Sequence, residues 1–546
     1  MFDFFFIEQL NDLIIALFST FILFILNESQ LAENKKAFVF IFFITITPLL
    51  IFSQVFYNKY MNLTSIHTIA YYFSVMLLLC SSALLINSID FKMFKFMKLT
   101  NMYNDYLKYG LFLLVGFFIL HKFYIQKIKI GIIHSVTGAT DATPLVEMLK
   151  LQITKINDNG GINGREIDAK IVDGKSDPEV YKKETENFIK EGRKTIFGGW
   201  TSADRKAMKP IVEKNDALLF YPLQYEGQEC SPNIIYTGST PNQQLEVGVR
   251  WALHNLGTTF YLVGTDSVYA RTANTIMKAV ITKFGGNVVG EEYFPYGSTD
   301  YKESIKKIIS NKNCIILNTI NGTKANVAFF KTLFDMYIEK NKNNKVYIPV
   351  SEVYPIITFS ITEHTFTVMK PEYAIGHYAV WSYFQSIRSD INKEFVDEYK
   401  KIYGEGPTKV INDPMESTYI GFSLWARAVK ELDNSDNLSL IKERMRENPY
   451  EAPEGEVILN YNNHLSKYVR VGMVNKKGLI DVIYNTLGPV DPRVWNSYLP
   501  GTAGLKCDHG RKLYGSSYMN GPLSLEANQG KQVGTVVNVN VNGNFN

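Results

Sequence analysis

The sequence has few of the residues that carry metal or acid–base chemistry. Four cysteines and eight histidines are scattered along 546 residues. Because neither type forms a CxxC pair or a cluster with metal-ligand spacing, we expect no metal site and no cofactor. A GxSxG nucleophile elbow and a GxxxxGK[ST] phosphate loop are also missing. We therefore expect that the protein is not an enzyme and does not itself power transport.

The sequence also lacks a strong charge of either sign. Its 57 basic and 53 acidic residues give a formal net charge of +4, and no basic stripe with interleaved aromatics occurs, so we expect no nucleic-acid partner. Cys80 lies in an apolar run and is expected to be a buried hydrophobe. Cys230, Cys314 and Cys507 allow a disulfide in an oxidising compartment, but the sequence does not say which two would pair.

Residues 1–126 differ in kind from the rest of the chain. They contain four apolar runs, 4–26, 37–56, 65–86 and 106–125, each about as long as the roughly 20 residues that a helix needs to cross a bilayer. The alternative is one cleaved signal peptide followed by buried helices, but the N-terminus is acidic and aromatic rather than basic. We predict a transmembrane region of four helices.

Lysines indicate how these spans are oriented. The loops after the first and third spans carry more lysine than the loop after the second, so the positive-inside rule places those two loops in the cytoplasm. Lysines also flank the last span on the other side, and they weaken this bias. The pattern predicts a multi-pass membrane protein whose large C-terminal domain is extracytoplasmic.

From residue 127 onward, short apolar runs alternate with amphipathic segments. The first pairs are a strand at 129–133 with a helix at 144–158, and a strand at 167–172 with a helix at 178–190. This alternation predicts α/β structure with parallel sheets that are covered by helices. After residue 500 the pattern stops, and 501–546, which is rich in Gly, Asn and Ser, is expected to be a low-complexity and mostly disordered tail.

Several sequence blocks in one order resemble the urea- and short-amide-binding proteins of the type I periplasmic binding protein superfamily, the substrate-binding components of urea ABC transporters. The blocks are IKIGIIHSVTG (128–138), NGGINGR (159–165), FGGWTSADRK (197–206), LLFYPLQYEGQE (218–229), YTG with PNQQ (236–244), GTDSVYAR (264–271) and NDPMESTYIG (412–421). The resemblance covers roughly residues 127 to 500. It implies a two-lobed domain over 127–500, in which lobe one holds about 127–240 and a return segment that includes 412–435, and lobe two holds about 241–378.

The resemblance also implies a ligand in the cleft between the lobes, near the carboxyl ends of the strands. In the amide-binding relatives, the positions that match Trp200, Ser202, Tyr221 and Tyr269 line the pocket. Loops at neighbouring strand ends supply hydroxyls, amides and aromatic rings as further candidates. These further candidates are Ser135, Thr137, Asp266, Ser267, Asn318, Ser360 and Trp381. At two positions the chain departs from its relatives: Ser267 stands where they usually carry Tyr, and Ala270 where they usually carry Pro.

Structural explanations stay open for several candidates. Ser202 or Thr201 fits the cap of the following helix, Asp266 fits the cap of the next one, and Asp413 with Pro414 fits a helix start. Trp200 and Tyr221 are also typical of a hydrophobic core.

The charges of the candidate cleft predict a neutral ligand. Asp266 and Glu363 are expected to be its only nearby carboxylates, and Arg205 and Arg271 are expected to face solvent or the lobe surface. The leading hypothesis is a membrane-anchored binding domain for urea or a short-chain amide, which serves transport delivery or sensing together with transporter or signalling subunits. The alternatives are a receptor ectodomain for another small neutral or amino-acid ligand, an adhesion domain with a dead cleft, and a membrane-tethered amidase.

Overall fold

The computed structural model of the chain describes residues 127–406, 409–502 and 504–509. The four predicted spans and the topology derived from them lie outside these ranges. Among the helices that are described, none is both long and apolar enough to cross a membrane.

Lobe one is built on a parallel sheet of five strands in the order β2-β1-β3-β4-β5. The strands are β1 (Ile128–His134), β2 (Ile167–Asp173), β3 (Thr195–Gly198), β4 (Leu218–Tyr221) and β5 (Ile234–Tyr236). Helices cover both faces, as the near-continuous apolar strands require. They are α1 (Thr143–Asp158), α2 (Pro178–Lys190) and α3 (Ser202–Lys214).

Lobe two is built on a mixed sheet of seven strands in the order β15-β14-β10-β9-β8-β6-β7, in which β14 runs antiparallel to both neighbours. Its strands are β6 (Thr259–Thr265), β7 (Asn287–Phe294), β8 (Ile315–Thr319), β9 (Ile356–Thr358), β10 (Tyr378–Trp381), β14 (Arg470–Val474) and β15 (Ile480–Asn485). Its helices are α4 (Leu245–Asn255), α5 (Val268–Lys283), α6 (Lys302–Ser310), α7 (Thr323–Asn341), α8 (Val350–Val353), α9 (Glu363–Thr367) and α10 (Pro371–Ala374).

The chain then returns to lobe one through three helices and a small antiparallel sheet. These elements are α11 (Asp390–Tyr403), α12 (Asp413–Leu432), α13 (Leu438–Glu447), β11 (Tyr450–Ala452), β12 (Gly455–Leu459) and β13 (Leu465–Ser466). Helix α12 packs its buried apolar face on the β1–β3–β4 part of the sheet. The predicted return of the chain to lobe one is therefore present.

The structure identifies the N-cap residues of two helices for which the sequence allowed other choices. Thr201, not Ser202, is the N-cap of α3, where its hydroxyl and the Asp204 carboxylate form a reciprocal capping box. Asn412, not Asp413, caps α12 and accepts a hydrogen bond from the Met415 amide. Asp413 instead accepts hydrogen bonds from the amides of Ser382 and Tyr383, 3.0 Å each.

Three crossovers join the lobes, at 237–244, 382–389 and 467–469. Lys467 is fully buried where they meet. Its ammonium donates to the carbonyl of Thr237 (3.0 Å) and the hydroxyl of Ser417 (2.8 Å) and lies 3.3 Å from the Glu454 carboxylate. Burial alone would lower the pKa of Lys467, but the carboxylates of Glu454, Asp413 and Glu416 raise it above its usual value. A buried charge therefore ties residues of different crossovers together.

The start of the predicted tail is attached to lobe one. Residues 504–509 follow the last strands, and Cys507 forms a disulfide with Cys230. The His509 amide donates to the carbonyl of Tyr461, 2.8 Å away. The packed part of the chain thus extends beyond residue 500, and the remaining cysteine among the described residues, Cys314, is buried in the core of lobe two.

Candidate functional site

The carboxyl ends of the strands of lobe one present an aromatic and hydroxyl surface. Gly199 follows β3 with a positive φ of 89°, and a Cβ there would lie 2.9 Å from the Tyr221 ring, so the turn needs glycine. The Tyr221 hydroxyl donates to the carbonyl of Trp200, 2.8 Å away. Ser202 begins α3 immediately afterwards and is buried. The structure thus brings Trp200, Ser202 and Tyr221 together.

An irregular segment, 222–231, follows β4 and supplies most of the charge at this surface. Glu226 lies on it and is buried: it accepts a hydrogen bond from Ser202 Oγ (2.5 Å) and another from Arg205 Nη2 (2.9 Å). Glu229, on the same segment, accepts from Arg205 Nε at 3.0 Å. One arginine therefore joins two carboxylates beneath the cleft.

Arg205 contradicts the expectation that it faces solvent, because its side chain is 0% exposed. Its guanidinium lies over the rings of Tyr221 and Tyr225, 4.9 and 4.6 Å from their centroids. Burial alone would lower the pKa of Arg205, but the neighbouring carboxylates, led by Glu226, hold it well above its usual range. Arg205 is therefore a permanent buried cation.

The pKa of Glu229 shifts in the opposite direction to that of Arg205. Burial would raise the pKa of its carboxyl, but Arg205 and the hydrogen bond from the Tyr236 hydroxyl (2.7 Å) lower it. We therefore describe Glu229 as ionised at neutral pH. The expectation that Asp266 and Glu363 are the only carboxylates near the cleft was wrong, since it omitted Glu226 and Glu229.

Lobe two contributes Tyr269 and Ser360 to the opposite side of the cleft. Tyr269 is buried in the first turn of α5, and its hydroxyl donates to the carbonyl of Phe359, 3.1 Å away. Gln224 of lobe one donates to the same carbonyl through Nε2, 3.2 Å away. Helices α3 and α5 are also in contact, so the two lobes meet across the cleft.

Two buried polar atoms beside Tyr269 have no hydrogen-bond partner within the described part of the chain. They are Gln224 Oε1 from lobe one and Ser360 Oγ from lobe two. Burial raises the pKa of Tyr269, and weak hydrogen-bonding contacts from the Gln224 and Ser360 side chains lower it in part, although neither Gln224 Oε1 nor Ser360 Oγ makes a hydrogen bond of full geometry. An acceptor from lobe one and a hydroxyl from lobe two therefore both lie beside the Tyr269 hydroxyl, and a buried group without a partner costs roughly 1–3 kcal/mol.

The side chains of the remaining predicted candidates bond to other residues of the protein. Asn318 and Trp381 are buried within lobe two, where Asn318 donates to Asn326 (2.8 Å) and Trp381 to the carbonyl of Ile361 (2.9 Å). Asp266 is exposed and pairs with Arg271 at 2.6 Å. The structure does not bring these three candidates to the convergent group.

The candidates in the loop after β1 are also held by hydrogen bonds within the fold. Ser135 is buried and bonded to the Tyr181 hydroxyl at 2.9 Å, while the exposed Thr137 donates to Asp173 at 2.6 Å. His134, at the end of β1, is fully buried, and this burial lowers its pKa to about 4, so the imidazole is neutral at physiological pH. Ser267, not Asp266, caps α5 by accepting from the Ala270 amide at 3.3 Å.

The sequence reading missed Gln224, Glu226, Glu229 and the inward position of Arg205. One signal was available for Arg205: Met208 and Val212 follow at i+3 and i+7, and an arginine on the same stripe as two apolar residues faces the core. No periodicity identifies the two glutamates, because segment 222–231 has no regular structure.

Comparison with known proteins matches this architecture. A family model described as a periplasmic binding protein domain covers residues 128–501. The chain belongs to this family. Among solved structures, a solute-binding protein of an ABC transporter from Rhodopseudomonas palustris HaA2, in complex with p-hydroxybenzoic acid, is 18% identical with a TM-score of 0.58. The match covers 67% of this chain and 98% of that protein.

Other similarities concern the same fold or a shorter segment. A branched-chain amino acid transporter substrate-binding protein from Streptococcus pneumoniae, in complex with isoleucine, is 20% identical with a TM-score of 0.56, over 67% of this chain and 100% of that one. A curated limonene hydroxylase from Geobacillus stearothermophilus is 33% identical over 122 residues. This chain spans 22% of the length of that hydroxylase. The structural neighbours establish the two-lobed α/β fold of periplasmic solute-binding proteins.

Proposed function

We propose that the domain binds a small neutral ligand that carries an amide or urea group in the cleft between its lobes. The observation that carries this proposal is the convergence of Gln224 Oε1 and Ser360 Oγ beside Tyr269. An amide presents both N–H donors and a carbonyl acceptor, so one small molecule would satisfy both protein atoms. Aromatic rings such as Tyr221 and Tyr269 would exclude water around it.

The charges near the cleft favour a neutral ligand over a carboxylic acid. Arg205 already pairs with Glu226 and Glu229, and its guanidinium is buried below the rings of Tyr221 and Tyr225. A ligand carboxylate would therefore meet an acidic cluster whose cation is engaged.

In this proposal the protein acts by binding and not by turnover. Closure of the lobes about the three crossovers would trap the ligand, a common switching motion of two-domain proteins. The N-terminal residues would anchor the domain to a membrane with the domain outside the cytosol, and the bound form would be read by a transporter or a signalling subunit. The Cys230–Cys507 disulfide supports the extracytoplasmic location, since disulfides persist in oxidising compartments.

A thermal-shift screen of the full-length protein in a mild detergent tests the ligand class. We expect stabilisation by urea, formamide or acetamide and none by p-hydroxybenzoate or isoleucine, since a ligand that binds only the folded form raises the melting temperature. Stabilisation by the two carboxylic acids alone would reject the proposal. Assaying the stabilising amide for ammonia release separates binding from hydrolysis, because steady release would identify an amidase.

Variants at the convergent atoms locate the site. Ser360→Ala should weaken the shift produced by the amide, because it removes the hydroxyl contributed by lobe two. Ser310→Ala is the matched control: Ser310 is exposed at the end of α6, and within the described ranges its hydroxyl bonds to the carbonyl of Lys307 (2.6 Å). Equal shifts in the two variants would place the ligand elsewhere.

A further inference from the structure

The described C-terminal segment 504–509 is covalently attached to the loop that carries the acidic residues of the cleft. Cys507 is bonded to Cys230, which lies 277 positions earlier in the chain. Cys230 directly follows Glu229 and is four residues from Glu226. The disulfide therefore ends in the same irregular segment, 222–231, whose side chains enclose Arg205.

This segment has no strand or helix to hold it in place. Its anchors include a backbone hydrogen bond from Gln228 to the carbonyl of Val494 (2.8 Å), one from Tyr225 to the carbonyl of Ser239 (3.2 Å), and the pairs of Glu226 and Glu229 with Arg205. Beside the disulfide, Ser231 donates to Glu213 (2.7 Å) and its carbonyl accepts from Asn463 (3.0 Å). Gln228 adopts a positive φ of 58°, a conformation that few residues other than glycine and asparagine adopt. Ordering such a backbone costs conformational entropy, so its position depends on cross-links.

A second route connects the disulfide to Arg205 through stacked rings. Residues 507–509 lie against the turn at 460–464, where the His509 amide bonds to the carbonyl of Tyr461. His464 of that turn stacks on Tyr236 with 4.1 Å between centroids, and its Nε2 is 2.6 Å from the Tyr225 hydroxyl. Tyr236 in turn donates to Glu229. The disulfide and this stack thus support the same carboxylate pair from two sides.

We propose that the Cys230–Cys507 disulfide is a positioning element of the ligand site, which fixes segment 222–231 so that Gln224 and Glu226 meet the ligand in register. The inference rests on the proposed function. Reduction by a dithiol would transfer two electrons and two protons to the bond, giving two cysteine thiols and the cyclic disulfide of the reductant. The freed segment would then reorder at the expense of ligand binding. Oxidation would restore it.

The alternative to the disulfide is a metal site formed by Cys230, Cys507 and His509. The experiment must distinguish these two states. Its Nε2 lies 3.5 Å from Cys230 Sγ and 3.7 Å from Cys507 Sγ. Two thiolates and an imidazole are ligands that zinc prefers, and the three ligand atoms lie within 4.8 Å of one another. Burial lowers the pKa of His509, and the cations Arg446 and Lys442 lower it further against a smaller opposing effect of Asp508, so the surroundings are mainly cationic. This surrounding charge opposes a divalent cation.

The test measures amide affinity of the full-length protein by calorimetry in three states: as purified, reduced with a dithiol, and reoxidised. We expect at least fivefold weaker binding after reduction and recovery on reoxidation, with unchanged far-UV circular dichroism. Cys507→Ser should bind as weakly as the reduced protein and not respond to the dithiol. Cys314→Ser is the matched control, since Cys314 is a buried thiol of lobe two outside this segment. Equal affinity in the three states would overturn the proposal, as would a purified protein with stoichiometric zinc and no linked 230–507 peptide in its digest.

A double-mutant cycle tests whether the disulfide changes amide affinity by positioning the Glu226 carboxylate. If the disulfide acts by placing Glu226, then Cys507→Ser should cost little in a Glu226→Gln background, whereas additive losses would overturn this route. Hydrogen exchange of segment 222–231 supplies a readout that needs no ligand. Faster exchange on reduction supports the positioning role, and unchanged exchange rejects it. Failure of every amide to bind the oxidised protein would instead reject the proposed function.

Discussion

Arg205 Nη2 lies 2.9 Å from Glu226 Oε1, and both side chains are buried below the cleft. The same guanidinium reaches Glu229, so one cation balances part of the charge of two carboxylates. Buried ion pairs of this kind are costly to break, because the remaining partner is left charged and without water. The first prediction follows from this geometry.

We predict that Arg205→Met lowers the free energy of unfolding by about 3–5 kcal/mol, because it removes the only buried cation that the described structure places on Glu226 and leaves Glu229 with the half-exposed Lys206 alone. Arg271→Met is the control: Arg271 and Asp266 form an exposed pair, for which a change of about 0–1 kcal/mol is typical. Unfolding should be followed in guanidinium chloride, since urea is a candidate ligand. Similar losses in both variants would contradict the assignment of Arg205 as a buried structural cation.

Ser202 and Thr201 are neighbours with separable roles. Ser202→Ala removes the hydroxyl that holds Glu226 at the edge of the cleft, and we expect amide affinity to fall by about 5- to 150-fold, the equivalent of about 1–3 kcal/mol. Thr201→Ala removes the N-cap of α3 and should instead lower stability by about 1 kcal/mol with little effect on affinity. Calorimetry and thermal unfolding of both variants give the comparison, and unchanged affinity in Ser202→Ala would remove Ser202 from the site.

Glu363 gives the protein a predicted pH dependence. Its carboxyl is buried, accepts a hydrogen bond from the Gln385 amide (3.0 Å), and has a pKa raised to about 8 by that burial, with a smaller effect of Asp413. Between pH 4.5 and about 8 the folded protein therefore holds a proton that the unfolded chain has lost. Stability contributed by this group falls as pH rises through that window, by up to about 1.4 kcal/mol per pH unit.

The Glu363→Gln variant tests this prediction, because an amide keeps the hydrogen-bonding shape and does not titrate. Its melting temperature should vary less with pH between 4.5 and 8 than that of the unmodified protein. Exposed Glu372→Gln serves as the control for removing a carboxylate. Parallel curves for the unmodified protein and Glu363→Gln would show that Glu363 is already ionised in the folded state.

The charge and size of the ligand set its affinity. A neutral ligand should bind with nearly the same dissociation constant at low and high salt, because it has no net charge to screen. Urea has four heavy atoms, so a ceiling of about 1.5 kcal/mol per atom limits binding to roughly 6 kcal/mol, or a dissociation constant of tens of micromolar. Titration calorimetry at two salt concentrations measures both quantities. Nanomolar urea binding, or strong salt dependence, would disagree with this account.

The location of the domain is tested by protease added to sealed, right-side-out cells or vesicles. We expect residues 127–546 to be accessible, because the lysine pattern places the loops after the first and third spans in the cytoplasm. Lysing the membrane before digestion is the control for protease activity. Complete protection of the domain before lysis would reverse the topology.

Regular elements of the fold could be predicted from the sequence, because their periodicity is local. The helix expected at 178–190 is found as Pro178–Lys190, and the strand expected at 167–172 as Ile167–Asp173. The family resemblance added the two lobes, which periodicity alone does not give. The predicted tail boundary moved, since the Cys230–Cys507 bond joins residues 277 apart and no local pattern encodes such a pairing.

The candidate site was harder to predict, because its polar atoms depend on tertiary packing. Asn318 and Trp381 stand at strand ends as expected, but their side chains turn into the bonds of lobe two. Gln224 and Glu226 occupy an irregular segment, and only the folded chain shows that they approach α3 and lobe two. Strand order indicates the edge of the sheet where a ligand lies, but it does not identify the side chains that meet there.

The buried Lys467 has a consequence for how affinity is set. It lies in one crossover and bonds to Thr237 in another and to Ser417 of α12, so its contacts depend on how the crossovers are arranged. A substitution there would change the proportion of molecules that are closed before any ligand arrives. Apparent affinity scales with that proportion, so a tenfold change in the closed fraction becomes about a tenfold change in dissociation constant. Evolution could thus retune the affinity of this binding domain without altering one atom that the ligand touches.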